Sequence, residues 1–367
     1  MTIRYGGVIA GQEEIDAVTA VLQTQQWSAG PVTTQFENRF ANYVGAGYGV
    51  ACNSGSSALL LALASLEPFS KVVIPALQFP TLYSACVWCR HESIIMDIDP
   101  VTLNLDVEKF ERWLVSGGRA EAVCFVHVAG NPAGVDRLAE LCHQYDMVLI
   151  EDCCEALGST SQGQMAGSFG DYACFSTHNA HHIATGEGGM VLTKELSRAK
   201  KVRQLRDWGR DTSQGYDKYN FILDGFNLRF TDIQAALGLV QFDRLTEFNN
   251  KRIDNHAYLA DMFERYIGSA MSFPVDQPGD TVAWYTFPLL TSRRDEVEKA
   301  MEEADVETRR LLCGNLVRMP IAAHKGNAVG FPGAEKAWQQ GLWLPMHPSV
   351  SKADLGVIVQ AALSVFS

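Results

Sequence analysis

The sequence predicts an α/β protein: a mainly parallel sheet covered by helices on both faces, followed by a smaller C-terminal α+β lobe. Three observations predict it. Short apolar runs alternate with segments of helical spacing through the first two thirds of the 367 residues. Those runs are continuously apolar rather than alternating, as strands buried on both faces must be. In the last third the regular alternation stops, leaving two strand-like runs, each followed by a helix. The length suffices for two lobes, and the 47% hydrophobic content suits a well-buried core.

The strand signals fall at residues 49–52, 72–74, 93–97, 122–126, 147–150, 173–176 and 190–193. Helical spacing separates most of them, at 56–66, 81–89, 107–115 and 135–144. Residues 195–208 and 231–266 also read as helices. The second has no proline or stop signal before Gly268, so it carries the chain from one lobe to the next. We place the lobes at 1–245 and 246–367. In the second lobe a strand at 283–290 precedes a helix at 294–303, and a strand at 342–344 precedes a helix at 352–365.

Charge and composition exclude several function classes. A net charge of −12 argues against a nucleic-acid footprint, though a locally positive pocket could still take a phosphorylated small molecule. No apolar run approaches the ~20 residues of a membrane span, and the N-terminus lacks a signal-peptide pattern. The nine cysteines, an odd number in mostly apolar segments, suit a reducing cytoplasm rather than a disulfide framework. Cys86 and Cys89 read as buried thiols, and Cys153-Cys154 as small packing residues beneath a site.

Two segments carry candidate chemistry. Asn53-Ser54-Gly55-Ser56-Ser57 lies between a strand and an apolar helix. Glycine allows close backbone approach, and free N–H groups with serine hydroxyls bind anions; the same pattern also serves as a plain helix cap. The strand Met147-Val148-Leu149-Ile150 ends in Glu151-Asp152, at the sheet edge where α/β proteins gather ligands. A carboxylate there suits a protonated ring nitrogen, and equally a helix-capping role. Phe79 could stack on a ring or pack in the core.

Together these pieces resemble the DegT/DnrJ/EryC1/StrS sugar aminotransferase family over nearly the whole chain. The resemblance implies the fold-type-I architecture of pyridoxal-phosphate enzymes. It also implies site roles: Gly55, Ser56 and Ser176 at the cofactor phosphate, Phe79 over the ring, Asp152 on the ring nitrogen and Glu155 beside the ring hydroxyl. Asn227, in Gly225-Phe226-Asn227-Leu228-Arg229, is implied to reach the partner's cofactor in a homodimer with shared active sites. Arg229 and Arg309 could contact the anion of a nucleotide diphosphate or of glutamate, or be solvated surface arginines.

The family places its Schiff-base lysine five residues after the strand serine. Counting from Ser176, that position is His181. Imidazole moves protons but cannot link covalently to the cofactor aldehyde. Histidine in this place, with Thr308-Arg309-Arg310-Leu311-Leu312-Cys313-Gly314-Asn315-Leu316, resembles the sugar-nucleotide 3-dehydratases of deoxysugar and O-antigen biosynthesis. That likeness implies pyridoxamine phosphate acting on a nucleotide-linked 4-keto-6-deoxy sugar, with glutamate as amino donor. An aminotransferase with a noncovalent cofactor and an inactive ligand-binding relic are the competing expectations. One dehydratase branch carries an iron–sulfur cluster on cysteines before the Asn-Leu-Arg segment. Residues 207–227 contain no cysteine, so no Cys-ligated cluster is expected there, and no metal at the adjacent histidines.

Overall fold

The computed structural model describes residues 2–211 and 219–366, so part of the cysteine-free stretch lies outside the described residues. Seven strands form the central sheet: β1 (Tyr48–Cys52), β2 (Lys71–Pro75), β3 (Glu92–Met96), β4 (Ala122–Val126), β5 (Val148–Asp152), β6 (Tyr172–Ser176) and β7 (Gly189–Thr193). Their spatial order is β1-β7-β6-β5-β4-β2-β3. Strands β3, β2, β4, β5 and β6 run parallel to one another. Strand β7 pairs antiparallel with both β6 and β1. Each expected strand is present, with ends shifted by a residue or two.

Helices before and between these strands cover the sheet: α1 (Gln12–Thr24), α2 (Pro31–Val44), α3 (Gly55–Ala64), α4 (Thr81–Trp88), α5 (Val107–Val115), α6 (Val135–Gln144) and α7 (Leu196–Arg206). The spacing does not announce α1, and the reason is physical. It buries only Glu14 and Val21, leaving Ile15 and Leu22 exposed, so its apolar stripe is thin. By contrast α3 is buried over nearly its whole length, packed against β6 and β7.

Helix α8 (Asp232–Tyr266) begins at a capping box, in which Thr231 accepts from Gln234 N–H and Gln234 reaches back to Thr231 N–H. The 245/246 boundary falls inside this helix, which is continuous through 35 residues. The C-terminal lobe pairs β8 (Phe287–Leu290) antiparallel with β9 (Gly341–Leu344), flanked by α9 (Arg294–Glu303), α10 (Pro332–Gln340) and α11 (Lys352–Phe366).

Two features differ from expectation. The expected strand at 283–290 pairs only from Phe287 onward. Before that, Ala283 O accepts from His182 at 2.7 Å and Tyr285 N–H donates to Ala129 O at 2.8 Å, so the backbone is committed to the large lobe rather than to a ladder. The N-terminal segment also crosses to the C-terminal lobe. Ile3 forms a parallel bridge with Val306, and Tyr5 N–H donates to Glu307 at 3.1 Å.

Candidate active site

Strand alternation sorts the two carboxylates that end β5. Glu151 points into the fold, where it accepts from the backbone N–H groups of Gly167, Phe169 and Gly170 and from His127. All of its capacity is used, so it is structural. Asp152 points the other way, into a cavity of about 550 Å³ at the carboxyl ends of the parallel strands. Its one backbone partner is Cys154 N–H at 3.2 Å, and burial raises its pKa.

The cavity gathers most of the residues that the sequence singles out. Ser54, Gly55, Ser56, Phe79, Asp152, Glu155, Ser176, His181 and Arg309 all line it. Ser54 caps α3 by accepting from Ser57 N–H at 3.1 Å, which turns the start of that helix toward the cavity. Gly55 is required by proximity: a Cβ there would lie 2.7 Å from Ser176 Cβ and 3.0 Å from Cys154 Sγ. Gly189 is required for the same reason, since its Cβ would meet Ser54 O at 2.2 Å. These two glycines hold the α3 turn against β6 and β7, bringing the hydroxyls of Ser54, Ser56 and Ser176 to one corner. Phe79, more than half exposed, overhangs the opening.

Glu155 lies below. Burial pushes its carboxyl up to about 8, against the lowering effect of the hydrogen bond from Ala129 N–H at 2.7 Å, and nearby Asp152 raises it further. His181 sits across the cavity on the loop after β6. Burial first, then the neighbouring His178 and Arg252, push its imidazole down to about 3, so it is neutral at physiological pH. Its Nδ1 is buried without a hydrogen-bond partner. His182 points away and donates to Ala283 O, as a packing neighbour. Cys153 is fully buried and Cys154 lines the cavity floor. Burial raises Cys86 to about 12 and Cys89 to about 11, so both remain thiols.

Asn227 and Arg229 are not among the residues lining this cavity. Asn227 is exposed, while Arg229 lies over Trp208 and pairs with Asp207 at 3.2 Å. Several lining residues have no local signature in sequence. Tyr5 arrives from the N-terminal segment, Tyr285 from the chain before β8 and Trp343 from β9. Their ring packing brings them together: Tyr5 stacks on Trp343 at 6.1 Å and meets Tyr285 edge-on at 5.9 Å.

The residues fit pyridoxal phosphate. A glycine-lined corner of serines suits its phosphate, a buried carboxylate with spare acceptor capacity suits a protonated ring nitrogen, and an exposed phenylalanine suits its ring face. Among the described residues no lysine lines the cavity.

A dTDP-4-dehydro-2,6-dideoxy-D-glucose 3-dehydratase of Saccharopolyspora spinosa is 29% identical, covering 98% of this chain and 85% of that protein. A GDP-perosamine synthase of Caulobacter vibrioides is 34% identical, covering 91% of this chain and 90% of its own length. The crystal structure of a GDP-4-keto-6-deoxymannose-3-dehydratase with a trapped PLP-glutamate geminal diamine superposes with a TM-score of 0.90. It is 24% identical and covers 98% of this chain and all of that one, a likeness of fold. The family model of the DegT/DnrJ/EryC1/StrS aminotransferases matches residues 8–363, and the chain belongs to that family.

Proposed function

We propose that this protein is a pyridoxamine-phosphate-dependent 3-dehydratase of a nucleotide-linked 4-keto-6-deoxy sugar, with glutamate restoring the amine form of the cofactor. The observation that carries the reading is His181, a neutral imidazole facing a cavity whose described lining has no lysine. When bound, the cofactor supplies a reactive amine and a ring that accepts electrons.

The chain's own residues then divide the work. Ser54, Ser56 and Ser176 hold the phosphate, with the N-terminus of α3 behind them. Asp152 would accept the ring N–H and keep that nitrogen protonated. Glu155, protonated near neutral pH, hydrogen-bonds the ring hydroxyl. With no covalent tether, these contacts and Phe79 must retain the cofactor alone.

With the cofactor bound, the neutral His181 would be the base that takes a proton from its C4′ carbon. A lysine would return that proton to sugar C4 and complete an amine. The imidazolium instead protonates the departing C3 oxygen, so the sugar loses its C3 hydroxyl. Ammonia leaves on hydrolysis of the product, and glutamate supplies the two electrons of the net reduction by becoming its 2-oxo acid. Asn227, outside this protomer's cavity, is assigned to the cofactor site of a second copy in a homodimer. Arg309, on the cavity wall, is assigned to a substrate or glutamate anion.

Amination is the second reading, favoured by the 34% identity to a perosamine synthase. Incubation with pyridoxal phosphate, glutamate and a panel of 4-keto-6-deoxy GDP-, CDP- and dTDP-sugars separates the two. Dehydration gives a product lighter by one oxygen together with free ammonia. A product that gains nitrogen and keeps its C3 oxygen would overturn the proposal.

A further inference from the structure

Buried within α8, Arg252 is only 1% exposed and has no carboxylate within ion-pair distance among the described residues. A buried cation in that state is costly, and a purely structural site would be better filled by an apolar side chain. Its surroundings indicate what it is placed against. One guanidinium nitrogen donates to Tyr285 O at 2.6 Å, and the guanidinium carbon lies 5.7 Å from the Tyr285 ring centroid. That ring in turn stacks on the imidazole of His181, at 5.0 Å and 24°. No hydrogen bond to Nδ1 orients His181, so the ring contact is what fixes its plane.

We propose that Arg252 and Tyr285 are positioning residues for His181: the phenol ring sets the plane of the imidazole, and the guanidinium sets a fixed positive charge behind it. The inference rests on the reading of His181 as the proton-transferring group. Both functions serve that role. A fixed plane directs one ring nitrogen at the reacting carbon, and a nearby cation makes the imidazolium, once it holds the C4′ proton, a stronger acid toward the departing C3 oxygen. The groups facing His181 are His178 and His182 from its own loop, Glu155 after β5, Tyr5 from the N-terminus, Tyr285, Arg252 and, from the C-terminal lobe, Arg309. Arg252 also lowers His182 and His347, as one charge central to several imidazoles would.

The test is an NMR titration of the cofactor-loaded full chain with ¹³C-labelled histidine, the His181 signal being identified by its loss in His181→Ala. Arg252→Met removes the charge together with the hydrogen bond to Tyr285 O, and Arg252→Lys keeps the charge. Arg252→Met is expected to raise the His181 midpoint measurably above wild type, whereas Arg252→Lys leaves it near wild type. A folded Arg252→Met protein whose His181 titrates as in wild type overturns the proposal. Should that variant not fold, the Tyr285 pair decides. Tyr285→Phe is expected to keep the His181 signal, while Tyr285→Leu shifts it and lowers kcat about tenfold at constant KM. Equal effects of the two changes would overturn the positioning role. A shifted titration in an enzyme that proves to aminate its substrate would leave this inference standing and remove only the dehydratase reading.

Discussion

The imidazole of His181 stacks on the ring of Tyr285 at 5.0 Å and 24°, although 104 positions separate them in the chain. The contact joins a loop of the large lobe to the segment that enters the smaller one. His181, the proposed proton-transferring group, is therefore held by a contact between segments far apart in the chain.

Changing His181 to lysine tests its role most directly. His181→Lys is expected to form a covalent link with pyridoxal phosphate, seen as a new visible absorbance band, and to favour amination over dehydration. His181→Ala should lose about 10²-fold or more in rate while keeping its cofactor. Absence of a spectral change in the lysine variant would show that residue 181 does not face the cofactor aldehyde.

The tight corner at Gly55 predicts a steric effect on cofactor affinity. In Gly55→Ala the new Cβ would crowd Ser176 and Cys154. Affinity for pyridoxamine phosphate should fall about tenfold or more, and the overpacking should lower the thermal transition as well. Tryptophan-fluorescence titration measures the first and a melting curve the second.

Asp152→Asn removes the negative charge that would keep a ring nitrogen protonated while keeping shape. Cofactor affinity is expected to drop roughly 10-fold and turnover at least 10²-fold. Wild-type turnover in this variant would mean that the ring nitrogen is not held at Asp152.

The buried titratable groups set opposite limbs of a stability curve. Glu155 is raised to about 8 in the fold, so its protonated form is favoured there. Its contribution is complete below the unfolded value near 4.5 and is lost as pH rises through about 8. His181 and His256 are depressed to about 3, the latter mainly by burial. Their contributions are complete above about 6.5 and are lost as pH falls toward 3. Melting temperature of the cofactor-free protein should therefore peak between these limbs. Glu155→Gln should flatten the alkaline limb, by on the order of a few kcal/mol. An unchanged alkaline limb would show that Glu155 ionises freely in the fold.

Sharing of sites between copies predicts complementation. Mixed His181→Ala and Asn227→Ala proteins should regain activity, up to roughly a quarter of wild type with random exchange, because one mixed site is intact in each hybrid dimer. No recovery on mixing would place Asn227 outside the partner's site.

The sequence by itself determined the sheet and pointed to the position proposed to react. Fully buried strands such as β4 and β6 need continuous apolar runs, and these are visible without coordinates. Local motifs were equally legible: the Ser-Gly turn at the start of α3, the acid pair ending β5, and histidine where the family's lysine stands. Even the choice between Glu151 and Asp152 follows from strand alternation once the sheet faces are known. What only the tertiary structure decided is the setting of His181. Tyr5, Arg252, Tyr285 and Trp343 come from four distant segments and match no periodicity, because they are brought together by packing between lobes rather than by local spacing. Short-range chemistry writes itself into neighbouring residues. The burial and charge that hold an imidazole neutral depend on through-space distances, which a linear order of side chains does not contain.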